Sequence, residues 1–131
     1  MIFWRKKTDK STGAKGEEIA ARFLVGKGYK IIGRNFKNFK GRQLGEIDII
    51  AEKNKEIIFV EVKTRNLERY QETLPEENIT FQKLKKLNKI ATSYIKINNL
   101  WDYPHHFDAV SVWLSRDFKN YKIKHIENIF I

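Results

Sequence analysis

Cysteine is absent from all 131 residues. That excludes disulfides, zinc–thiolate and iron–sulfur sites, and a cysteine nucleophile. Long apolar runs are absent too: none approaches the roughly 20 residues needed to cross a bilayer. The first residues, Met1-Ile2-Phe3-Trp4-Arg5-Lys6-Lys7, put a short apolar stretch before the basic one, the reverse of a secretory signal. The expectation is a cytoplasmic protein with no membrane contact. Acid is scarce: 16 Asp and Glu stand against 26 Lys and Arg, so the net charge is +10. Such an excess favours a polyanionic partner, nucleic acid above all, and decides nothing about fold.

What is present suits one packed domain. Apolar residues make up 41% of the chain, too many for a disordered segment, and the length allows a sizeable core. The charge is uneven. Residues 1–45 carry twelve Lys and Arg against three Asp and Glu, whereas residues 46–70 carry five against six. A basic body thus surrounds a locally acidic patch, which suits attracting phosphates while holding carboxylates at the centre.

Residues 1–10 read as a basic N-terminal arm and residues 11–131 as a single domain. Ser11 or Thr12 can cap a helix running to about Lys27, before Gly28. Ile19 with Phe23 and Ala20 with Leu24, at i,i+4 spacing, form its buried stripe. Strands are expected over 29–36, 46–51 and 56–64, the last two joined by the turn Lys53-Asn54-Lys55. A basic loop at 38–44 contains Lys40 and Arg42, and residues 66–78 form a polar loop around Pro75. Leu84, Leu87, Ala91 and Tyr94 mark a helix over 80–96, with Lys83, Lys85, Lys86 and Lys89 mostly off its stripe. Strands at 107–114 and 121–131 complete the order α-β-β-β-α-β-β. A mixed central sheet with flanking helices is the α/β fold this order favours.

Strand side chains alternate with period two. Glu46 and Asp48 therefore fall on one face of their strand, with Ile47, Ile49 and Ala51 on the other. Glu61 and Lys63 share a face of the next strand, opposite Ile58, Val60 and Val62. A hairpin folded near residue 54 sets Asp48 almost opposite Glu61. Two carboxylates and a lysine on apolar strands are costly unless paired or bound to a cation. A hard cation such as Mg²⁺, for which Mn²⁺ can substitute, takes carboxylate oxygens, water and often substrate phosphate. Lys63 could help deprotonate an attacking water or offset charge on a scissile phosphate. The parts suit phosphodiester hydrolysis.

Asp48, then twelve residues, then Glu61-Val62-Lys63 resembles the PD-(D/E)xK motif of restriction-endonuclease-like nucleases. Within that group, Gly16-Glu17, Gly45-Glu46-Ile47-Asp48 and Phe59-Val60-Glu61-Val62-Lys63-Thr64-Arg65 resemble the YraN family, which is similar to archaeal Holliday-junction resolvases. The resemblance spans most of the chain, from the first helix to Phe107-Asp108-Ala109-Val110. It implies a restriction-endonuclease-like αβββαβ core, metal-dependent cleavage of DNA (branched or junction DNA among the substrates), and homodimerisation. It marks Asp48 and Glu61 as metal ligands and Lys63 as the catalytic lysine, supported by Glu17 and Glu46. The departure is Ile47, where many of these nucleases have proline before the aspartate. Phosphate contacts are expected from Lys40, Arg42, Arg65, Lys83 and Lys86.

Two other readings fit the same residues. One is a nucleic-acid-binding module without catalysis; the other is a basic interaction protein whose strand charges form only ion pairs. The complete set of Asp48, Glu61 and Lys63 speaks against the first, because a binder has no use for adjacent buried carboxylates facing phosphate. His105, His106 and His125 lack further ligand spacing and read as structural or surface residues, and Asp108 reads as a structural cap or pairing partner.

Overall fold

A computed structural model describes residues 11–37, 45–70 and 80–129. Helix α1 spans Thr12–Gly26, followed by strands β1 (Lys30–Lys37), β2 (Glu46–Lys53) and β3 (Glu56–Asn66). A short 3-10 turn at Leu67–Arg69 follows, then helix α2 (Phe81–Ile97), β4 (His105–Leu114) and β5 (Tyr121–Ile129). The order is the one the sequence implies. The expected basic arm, the loop residues Lys40 and Arg42, and most of the loop around Pro75 lie outside the described residues.

The five strands lie side by side in chain order, and neighbours are antiparallel except β3 and β4, which are parallel. A parallel pair needs a crossover connection, and α2 lies on it. The sheet is therefore mixed, with one helix on each face. Under α1, Ile19, Ala20, Ala21 and Leu24 pack with Ile49, Ala51, Ile58, Val60, Val62, Val110 and Val112. Under α2, Leu84, Leu87, Ile90, Ala91 and Ile95 pack with Ile47, Ile50, Ile57, Phe59, Phe107 and Ala109. Truncating any one of the large side chains to alanine costs roughly 2–5 kcal/mol, so neither layer is dispensable. Side-chain caps begin both helices. Ser11 Oγ accepts from the Ala14 N–H and Thr80 Oγ1 from the Lys83 N–H, each at 3.1 Å, and a cap of this kind contributes about 1 kcal/mol.

Three details set up the centre of the sheet. Asn54 and Lys55 have φ of 53° and 63°, the positive pair required by the tightest hairpin turns. Lys53 then pairs with Glu56, and the ladder runs on to Ile49 opposite Val60. One step further Asp48 would face Glu61, but the ladder ends, and Asp48 Oδ2 accepts from the Val62 N–H at 2.8 Å. This break corrects one expectation. Ile47 packs under α2 with Ile50 rather than sharing the α1 face with Ile49 and Ala51. The chain rotates where a carboxylate replaces a main-chain acceptor, so simple alternation does not carry across Asp48.

The second detail is Gly16. A β-carbon there would lie 1.9 Å from Thr64 Oγ1 and 2.9 Å from Thr64 Cβ, so only glycine lets α1 cross β3 this closely. The third is the start of β4, at His105 rather than Phe107. Parallel pairing sets His105 opposite Ile57, whose N–H donates to the Pro104 carbonyl at 2.9 Å.

Candidate active site

Four elements bring charge to the place where β2 parts from β3. β2 supplies Glu46 and Asp48, β3 supplies Glu61, Lys63 and Arg65, α2 supplies Lys83, and α1 adds Glu17. Asp48 and Glu61 are buried. Glu61 follows Ile57 and Phe59 in the two-residue repeat, on the side covered by α2. The Thr80 cap organises the first turn of that helix, and the turn delivers Lys83 Nζ to 2.5 Å from Glu61 Oε2. Lys63 Nζ lies 3.9 Å from the same oxygen.

The electrostatics follow from burial and crowding. The Asp48 carboxyl is pushed up to about 8, first by burial and then by Glu61. The Val62 N–H opposes this, while Glu17 and Glu46 add to it. Glu17 is itself held by Asn35, whose Nδ2 donates to its Oε1 at 3.0 Å. Burial pushes the Lys63 ammonium below the usual lysine range; neighbouring Lys83 and Arg65 push the same way and Glu61 opposes. Burial pulls on Lys83 as well, but the hydrogen bond and charge of Glu61 outweigh it and hold that ammonium above its usual range.

The donor set fits a hard divalent cation. Mg²⁺ is commonly held by one or two carboxylates plus water and substrate phosphate, and Asp48 with Glu61 is such a pair. Among the described residues no three Asp, Glu or His side chains gather into a complete cage, so the set does not suit a structural zinc ion. Beside the pair opens a cleft of about 330 Å³, lined by Gly45, Glu46, Thr80, Gln82, Lys83 and Lys86. Its walls join the acidic centre to the basic face of α2.

Of the residues singled out from sequence, Asp48, Glu61 and Lys63 come together, and Glu17, Glu46 and Arg65 act on them through their charges. Lys86 lines the cleft. Lys83, expected at phosphate, sits on the Glu61 carboxylate in this structure. Sequence reasoning missed that pairing. Its one signal was the position of Lys83 three residues after a capping threonine, in the first turn of a helix.

Fold and site together define an α/β protein with a buried carboxylate–lysine centre at a fork between two strands of a mixed sheet. The chain belongs to UPF0102: the profile of the uncharacterised protein family UPF0102 matches residues 16–112, from Gly16 into β4. It is 41% identical over 125 residues to the UPF0102 protein of Clostridium beijerinckii, covering 95% of this chain and 97% of that protein. With the UPF0102 protein of Caldanaerobacter subterraneus subsp. tengcongensis the identity is 42% over 127 residues, covering 96% and 99%. With that of Syntrophomonas wolfei it is 43% over 122 residues, covering 93% and 99%. This is the YraN family that the motifs resemble. Among the described residues no helix is long and apolar enough to cross a membrane.

Proposed function

We propose that the chain is a divalent-metal-dependent nuclease that hydrolyses phosphodiester bonds in DNA, built on a restriction-endonuclease-like core. The observation that carries this reading is the gathering of Asp48, Glu61 and Lys63 at the β2–β3 fork, with Asp48 buried against further carboxylates. Mg²⁺, or Mn²⁺ in its place, held by Asp48 and Glu61 would supply Lewis acidity at a phosphoryl oxygen and at an attacking water. The chain's own groups do the rest. The Val62 N–H fixes the Asp48 carboxylate. Lys63, with its lowered pKa, is suited to exchange a proton near the attacking water or to offset charge developing on phosphate. Glu17 and Glu46 raise the negative potential that draws the cation in. Lys40, Arg42, Arg65, Lys83 and Lys86 contact phosphates, with Lys83 released from Glu61 once a cation replaces it there. Branched or junction DNA, cut by a homodimer, is the substrate and assembly the motifs favour.

The test compares wild type, Asp48→Ala, Lys63→Ala and Lys63→Arg on linear, flapped and four-way DNA with Mg²⁺ or Mn²⁺. Cleavage rate, filter-binding affinity, metal affinity by calorimetry and melting temperature are read on each protein. Asp48→Ala is expected to lose metal binding and cleavage while staying folded. Lys63→Ala is expected to lose about 100-fold or more in cleavage while keeping DNA affinity within a few-fold, since one phosphate contact is a small share of a charge-dominated interface. Lys63→Arg should rescue poorly, because guanidinium does not give up its proton. No cleavage by wild type on any substrate, or equal cleavage by Lys63→Ala, overturns the reading.

A further inference from the structure

Under α1, against β5, lies a groove of about 470 Å³, within the size range of small-ligand sites. Ile19, Phe23, Phe118 and Tyr121 give it an apolar, aromatic lining, with Phe23 and Phe118 also packed against the core, and Lys15 and Arg22 give it charge. Lys15, Ile19 and Arg22 are spaced by four and three residues, so one face of α1 lines the groove. Lys15 Nζ is 3.3 Å from Glu18 Oε1. Arg22 is exposed and has no ion pair or hydrogen bond among the described residues.

Two features distinguish the groove from a packing gap. Phe118 has φ of 64°, a left-handed backbone that a bulky aromatic rarely adopts unless its surroundings enforce it. They do: the Phe118 N–H donates to the Ser115 carbonyl at 3.0 Å, and Ser115 Oγ donates to Asp117 Oδ1 at 2.7 Å. The Lys119 N–H donates to the same Asp117 oxygen and the Asn120 N–H to Ser115 Oγ, both at 3.0 Å. The turn is thus locked with an aromatic ring at the groove. The second feature is Tyr121, which remains 53% exposed although it forms a wall. A ring serving only the core would be covered.

The groove opens at the same end of the sheet as the carboxylate site. β3 and β4 run parallel, with Arg65 opposite Trp113 and Asn66 opposite Leu114, so the Lys63–Arg65 segment and the β4–β5 turn end together. The first turns of α1 border both places: Glu17 acts on Asp48, Gly16 rests on Thr64, and Lys15 lines the groove. We propose that this groove binds one unstacked nucleotide of single-stranded DNA, its base against Phe118 and Tyr121 and its phosphate at Arg22 and Lys15. Flat aromatic walls beside two cations select a ligand that is flat and apolar on its faces and anionic at one end. A paired duplex does not offer such a base, so the groove favours splayed or single-stranded segments. The inference rests on DNA being the substrate, and not on its being cut.

The test uses the full chain with chelator present, so that cleavage plays no part. Binding of a labelled short oligothymidylate and of a blunt duplex of equal length is followed by fluorescence anisotropy for wild type, Tyr121→Ala, Tyr121→Phe and Arg22→Gln. Tyr121→Ala is expected to weaken the single strand about fivefold or more, as loss of one base stack does. Tyr121→Phe should retain affinity, and the duplex should change less than about twofold. Arg22→Gln should lower the salt slope for the single strand by roughly 0.7; this exposed position gives the same comparison should Tyr121→Ala melt early. Unchanged single-strand affinity in both Tyr121→Ala and Arg22→Gln, or equal losses on duplex and single strand, overturns the proposal. So does Tyr121-dependent binding of free thymidine monophosphate without Tyr121-dependent binding of the strand, which would assign the groove to a free nucleotide. Asp48→Ala is expected to bind the single strand with the same dependence on Tyr121, so a failed cleavage assay leaves this inference standing.

Discussion

Asp48 and Asp108 are two buried aspartates in one sheet, and the fold surrounds them in opposite ways. Asp108, on β4, is fully buried and hydrogen-bonded to His125 and the Asn128 N–H. His125 Nε2 lies 2.8 Å from its Oδ2, His106 Nε2 3.0 Å from its Oδ1, and the Asn128 N–H donates to Oδ1 at 2.9 Å. The two histidines are held in turn, His106 Nδ1 by Glu56 at 2.5 Å and His125 Nδ1 by Lys27 at 3.0 Å. Asp48, on β2, has one main-chain N–H and is crowded by the negative charge of Glu61, Glu17 and Glu46. A buried carboxylate whose oxygens are taken up by a main-chain N–H and a histidine is part of the scaffold. One left among like charges is pushed towards its protonated form, as functional-site carboxylates often are.

Truncation is the strongest way to break that comparison. Asp108→Ala leaves His125 and the Asn128 N–H facing an empty place and is expected to cost roughly 1–3 kcal/mol, as leaving a buried hydrogen-bonding group unpaired does. Asp48→Asn, in metal-free protein at neutral pH, should cost nothing or stabilise, because it removes the cost of holding a proton on Asp48 where the unfolded chain releases it. Urea denaturation of both variants measures the contrast, and equal losses would erase it.

A pH series sharpens it. Asp48 is raised in the folded chain to about 8, above its ordinary 3.8. Below the ordinary value both folded and unfolded chains hold the proton. Between the two values the unfolded chain releases it while the folded chain keeps it, so this group's contribution to stability falls as pH rises and is lost by about pH 8. With chelator present, wild type should lose a few kcal/mol relative to Asp48→Asn across that window, and saturating Mg²⁺ should remove the difference. A wild-type curve parallel to that of Asp48→Asn would show that Asp48 is not crowded as described.

The smallest effect concerns Lys83, the cation already sitting on Glu61. Its side chain is 35% exposed, so the ion pair is worth at most about 1 kcal/mol. Lys83→Ala should therefore tighten Mn²⁺ binding by no more than about fivefold, read by calorimetry. Weaker metal binding in that variant would make Lys83 a support of the site rather than a competitor for it.

Much of this was legible in the residues, because local rules govern it. The two-residue turn at Asn54-Lys55 sets the hairpin register, and that register brings Asp48 and Glu61 to the same level from spacing alone. Ser11 announces the first helix, and the stripe of Leu84, Leu87 and Ala91 the second. The rotation of the chain at Asp48 was not legible, since it depends on a carboxylate displacing a ladder hydrogen bond rather than on any pattern of apolar residues. Lys83 read as a phosphate contact because its partner lies 22 residues earlier, on a strand whose distance from α2 no periodicity reveals. His106 and His125 read as structural, yet nothing in their spacing showed that both would meet at Asp108, which requires β5 to pair with β4 and the bulge near Phe107 to admit Asn128.

Composition, apolar periodicity, turn residues and caps by themselves determined the order of elements, a mixed sheet with flanking helices and the identity of the central carboxylates. These depend on interactions within a few residues along the chain. Tertiary structure decided which cation sits on Glu61, how far Asp48 is driven from its ordinary ionisation, and where an aromatic groove opens between α1 and β5. Those depend on distances between segments far apart in sequence, and on how much water the packed layers leave around each charge.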